Sequence, residues 1–141
     1  MQFLSSIFIA FTVLLSSILP LASAKIYHIS LPEQALPGEN ITVTVSSSSY
    51  IQNWDDFGII WGLVGENHGC EGCVGQEIGY ENLYGNNTLG NSTYSVQLPN
   101  TTTRAYTFVA AVPYLVGASG ETGIHYFNQS INLISNAKVR V

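Results

Sequence analysis

Positive charge is almost missing from this chain. Lys and Arg together number 4 in 141 residues, against 9 Asp and Glu, giving a net charge of -5. Lys25, Arg104, Lys138 and Arg140 are too few and too scattered to neutralise a row of phosphates, which excludes nucleic acid and anionic membrane surfaces as partners. Charge of either sign is scarce, at 9% of residues, so solubility has to come from Ser, Thr, Asn and Gly. Cysteine stops at Cys70 and Cys73, both in one segment, so no bridge can tie distant strands together. No segment of the chain has helical periodicity.

Long apolar runs are limited to one, Leu4 to Leu21. It is interrupted by Ser5, Ser6, Ser16, Ser17 and Pro20 and closes on Ala22-Ser23-Ala24, the A-x-A pattern of a secretory signal, although no Lys or Arg precedes it. A transmembrane anchor is the rival reading; the interruptions and the small residues at the end favour cleavage after Ala24. Residues 1–24 are therefore expected to be a signal peptide. Residues 25–141 then form one secreted domain with a single core and no membrane insertion.

Period-two runs of β-branched and aromatic residues, separated by Gly, Pro and Asn, carry the mature part. Strands are expected at Ile26–Leu31, Ile41–Val45, Phe57–Val64, Thr93–Leu98 and Ile124–Ile134, with a shorter segment at Tyr80–Tyr84. Ala105–Val116 is apolar without alternation, which predicts a central strand covered on both faces, with Pro113 marking where its ladder bends or stops. About seven short strands and no helix point to an all-β antiparallel sandwich of immunoglobulin or fibronectin type, a small barrel being the alternative. Trp61, beside Ile59, Ile60 and Leu63, falls about where such sandwiches bury a tryptophan. Sequons at Asn40, Asn86, Asn91, Asn100 and Asn128 mark expected glycosylation sites.

Motifs that could carry chemistry are weak. Cys70-Glu71-Gly72-Cys73 should oxidise to a disulfide that stiffens one glycine-rich loop, Gly65 to Gly79; a redox role would need a helix N-terminus beside a βαβ unit. His68, Cys70 and Cys73 with Glu66 and Glu71 make an incomplete zinc pattern whose thiols the secretory route oxidises. Asp55-Asp56 reads more simply as turn and edge charge than as a hydrolase pair. His28 and His125 fall inside expected strands. Gly117-Ala118-Ser119-Gly120 misses the nucleophile elbow because Glu121 takes its last position. Cleavage at Ala24 exposes Lys25 rather than the amino-terminal histidine of copper-dependent polysaccharide oxidases. Trp54, Tyr50, Tyr80 and Tyr84 could form a sugar-stacking platform, which keeps a wall- or carbohydrate-binding module as the alternative function.

Taken in order, Ile29-Ser30-Leu31-Pro32, Pro37-Gly38-Glu39-Asn40-Ile41, Tyr50-Ile51-Gln52 with its acid pair, and Ile59-Ile60-Trp61-Gly62 resemble the necrosis-inducing secreted proteins of fungi. Tyr94 to Pro99, Tyr106 to Ala111 and Leu115 to Ser119 extend the likeness over nearly all of the mature chain. The Cys-Glu-Gly-Cys loop departs from that pattern, and the chain ends soon after its last strand. The resemblance implies a secreted effector, acting outside the host cell or in its cytoplasm after uptake, that binds plant receptor-like kinases and suppresses immunity. It implies no catalytic residue and no cofactor. A monomer is expected, with Tyr50, Trp54 and the Gly65 to Gly79 loop contributing to the partner-binding surface.

Overall fold

Residues 23–136 are described in the structure, a computed structural model. The Gly-, Pro- and Asn-rich punctuation cuts them into β1 (Ser23–Ser30), β2 (Gln34–Ala35), β3 (Asn40–Tyr50), β4 (Trp54–Asp56), β5 (Gly58–Gly65), β6 (Gln76–Asn82), β7 (Gly90–Gln97), β8 (Ala105–Val116) and β9 (Glu121–Leu133). Two sheets form a sandwich. One has the order β1-β3-β7; the other runs β2-β9-β8-β5-β6, with β4 paired to the far end of β8. All pairings are antiparallel except β2 with β9, a two-residue parallel contact that joins Gln34 and Ala35 to Asn132 and Leu133.

Alternation fills the space between the sheets. Ile41, Val43 and Val45 of β3 and Val96 of β7 meet Ile59, Trp61 and Leu63 of β5, Phe108, Ala110 and Val112 of β8, and Ile131 of β9. Each large side chain buried there gains about 1.5–3 kcal/mol relative to exposure. Trp61 is 1% exposed and lies 5.7 Å, centroid to centroid, from Phe108. Among the described residues its indole N–H has no hydrogen-bond partner.

β8 has the bounds read from the sequence and is central, with β9 on one side and β5 then β4 on the other. Pro113 stands where that second partner changes. β5 pairs as far as Ala111 and β4 begins at Tyr114, so the missing proline N–H falls between two ladders and the strand continues past it.

The simple alternation expected for β1 fails at Tyr27. A bulge between Ile26 and His28 shifts the register by one, so Ile26 and Ile29 are both buried, although strict period two places them on opposite faces. β2 and β4 were not anticipated, because two or three residues are too few to show a period. The segment expected at Tyr80–Tyr84 is a strand that starts earlier, at Gln76.

Candidate interaction site

Two features outside the main core organise polar and aromatic side chains. The first is an aromatic cluster at the end of the sandwich where β1, β4, β8 and β9 converge. Trp54 stacks on Tyr114 at 4.4 Å and 15°, and His125 lies 4.4 Å from Tyr114 and 5.2 Å from Trp54. Tyr50 meets Trp54 edge-on at 5.0 Å. The Lys25 ammonium sits 4.0 Å from the Trp54 ring centroid and 4.6 Å from that of Tyr50, a cation–π clamp between β1 and this end of the molecule.

Asp56 locks the cluster from below. It is 2% exposed and accepts hydrogen bonds from the Ile26 backbone N–H at 2.9 Å and from Trp54 Nε1–H at 2.8 Å. The first satisfies a donor of β1; the second satisfies the indole, so the carboxylate ties β1 to β4. Burial pushes its carboxyl above the ordinary carboxylate range, against the pull of those two hydrogen bonds and of His125 and Lys25. Burial lowers His125, the Lys25 charge adds to that, and Asp56 opposes it.

The second feature is the loop between β5 and β6, which folds back over the outer face of the six-stranded sheet. Cys70 and Cys73 are joined in a disulfide with Cα atoms 5.3 Å apart, and Cys73 N–H donates to Cys70 O at 3.2 Å. Tyr126 of β9 donates its hydroxyl to Gly72 O at 3.0 Å. A Cβ on Gly62 would overlap the Val74 carbonyl, so the loop lies on β5 only because position 62 has no side chain. Gly69, Cys70, Glu71 and Cys73 line a shallow cleft of about 310 Å³ with Val64, Val109 and Asn128.

Among the expected contact residues, Trp54 is nearly buried: at 5% exposure it packs between Tyr114, Tyr50 and Lys25, with only its edge on a cleft lined also by Tyr84 and Asn87. Tyr50 is 37% exposed and stands over it. Burial of Trp54 also removes it from a sugar-stacking platform with Tyr50, Tyr80 and Tyr84; Tyr84 instead stacks on Phe57 at 5.9 Å. Asp55 is exposed and Asp56 buried, so the acid pair is split between solvent and core. His68 Nδ1 lies 2.6 Å from Glu66 O, and among the described residues no three His, Cys, Asp or Glu side chains are grouped to hold a metal. All five sequon asparagines are exposed; Asn40 begins β3, Asn91 lies near the start of β7, Asn86 and Asn100 sit in turns, and Asn128 lies within β9. Tyr114 and His125 were missed as cluster members. Their alternation with Val112 and Phe127 on the inner face was the available signal.

The match that decides relationship covers the sandwich from end to end: the profile of the Nis1 family fits residues 22–132. The chain belongs to the Nis1 family. Necrosis-inducing secreted protein 1 of Colletotrichum higginsianum (strain IMI 349063) is 30% identical over 136 residues, 94% of this chain and 91% of that protein. The protein of the same name from Colletotrichum orbiculare is 29% identical over 136 residues, covering 94% of this chain and 81% of its own length. The resemblance read from the ordered motifs is thereby borne out, and this Nis1-family chain is a secreted protein of fungal effector type.

Proposed function

We propose that this Nis1-family protein binds the cytoplasmic domain of plant immune receptor kinases and lowers their activity, suppressing pattern-triggered immunity, with host cell death as a further outcome. The observation that carries this reading is likeness along the whole fold to secreted proteins named for inducing necrosis. Action by binding rather than by catalysis agrees with how its reactive groups are used. Asp56 spends both carboxylate oxygens on Ile26 and Trp54, and His125 is packed among aromatic rings.

The test is direct binding of the mature, oxidised protein to the purified cytoplasmic kinase domain of a plant immune co-receptor. A saturable complex is expected. Absence of binding at tens of micromolar, together with sedimentation on chitin or glucan, would replace this reading with the wall-binding alternative.

A further inference from the structure

The outer faces of the two sheets are built from opposite materials. On the three-stranded sheet, Asn40, Thr42, Thr44 and Ser46 of β3 lie beside Gln97, Ser95, Thr93 and Asn91 of β7, a hydroxyl- and amide-rich surface that includes the acceptor asparagines of two sequons. On the six-stranded sheet the register sets Tyr80, Ile60, Ala111 and Tyr126 in one row across β6, β5, β8 and β9. Pro113 and Ile124 form the next row. Directly paired residues share a face. Ile59, Trp61, Phe108, Ala110 and Val112 occupy the inner one, so these rows point outward.

This face is apolar and open. Tyr80 is 55% exposed, Ile124 47% and Tyr126 39%. The two tyrosines are also held in place. A Cβ on Gly58 would strike the Tyr80 hydroxyl, so that side chain lies across a glycine, and Tyr126 is tethered to Gly72 O. Fixed aromatic side chains lose little conformational entropy when a partner covers them. The disulfide loop closes one end of the sheet, reaches Tyr126, and leaves Tyr80 and Ile124 open to solvent.

Among the described residues, the charge around them has one sign. Asp55 pairs with Leu115 and Glu77 with Gly62, which places both acids on this face, and Glu71 is exposed on the bordering loop. Lys25 is clamped on Tyr50 and Trp54, and Arg104 on Tyr106. We infer that the outer face of the six-stranded sheet, centred on Tyr80, Ile60 and Ile124, docks a protein surface whose apolar centre is ringed by Lys and Arg. A second copy of this chain does not fit, because its own Asp55, Glu71 and Glu77 would meet theirs.

This inference rests on the proposed kinase binding and specifies where that contact is made. Titration calorimetry of the mature oxidised protein against the kinase domain separates the two. Tyr80→Ser and Ile124→Ser should each weaken binding about tenfold or more. Glu77→Lys should flatten its dependence on salt. Tyr27→Ser, on the other sheet, should change nothing, and unaltered thermal unfolding should show that all four variants fold. Asn128 lies on the same face one row nearer the loop, so the ranking must be the same after enzymatic removal of N-glycans. Wild-type affinity in the Tyr80 and Ile124 variants overturns the docking face while leaving kinase binding intact. Failure of the wild type to bind overturns both. Self-association abolished by the same two changes would assign the face to a second copy and overturn the inference.

Discussion

At the scale of single residues, Asp56 and Trp54 explain more of the molecule than their position after an exposed tyrosine would indicate. In Trp54→Phe the indole N–H is lost while the carboxylate stays buried, and a buried acceptor stripped of its donor costs about 1–3 kcal/mol. The cost should depend on pH. Asp56 already sits above the ordinary carboxylate range, so its burial favours the protonated form, and its contribution to stability is lost as pH rises through the folded value. Removing the indole raises that value further. Urea unfolding should therefore show a larger loss in Trp54→Phe at pH about 7 than at about 3.5. His125 works in the opposite direction: its pKa is lowered in the fold, so its contribution is present above the ordinary imidazole value and lost as pH falls through the folded one. His125→Phe keeps a ring against Tyr114 and should flatten that acid-side decline below pH about 6.5.

At the scale of elements, legibility followed length and phase. β8 was readable to its ends because twelve residues of near-continuous apolar sequence between polar turns have few other solutions. β1 was readable as a strand but not in its inward face, since a bulge at Tyr27 leaves no mark in an alternation of six residues. Trp54 was read as a contact residue because β4 is only three residues long and the acids after it look like a turn; its burial depends on Tyr114 and His125, some 60 and 70 positions away. The disulfide loop was visible as a motif, but its docking onto the sheet depends on Gly62 and Tyr126, which no local pattern connects. Since the ring it closes is short, replacing Cys70 and Cys73 by Ser should cost less than about 2 kcal/mol in global stability. Its expected effect is local: faster amide exchange between Glu66 and Val74, with the core strands unchanged. Global unfolding of the double variant would show that the loop supports the sheet rather than resting on it.

At the scale of the whole molecule, the fold separates stability from presentation. The scarcity of charge makes both outer faces nearly uncharged, yet one is lined by hydroxyls and amides, whereas the other is aromatic with an acidic margin and the Asn128 sequon toward its loop end. Composition alone could not reveal that asymmetry, because the same Tyr, Ile, Thr and Asn counts could be spread evenly over both sheets. It emerges only from register, which places Tyr80, Ile60 and Tyr126 in line. An effector acting by contact needs one such surface on a core rigid enough to hold it. The measurement that tests this most directly is autophosphorylation of the plant receptor kinase cytoplasmic domain during titration with the mature, oxidised protein. Phosphorylation that falls along the binding curve is the expected result; a full complex with undiminished phosphorylation, or none at tens of micromolar, would contradict the account.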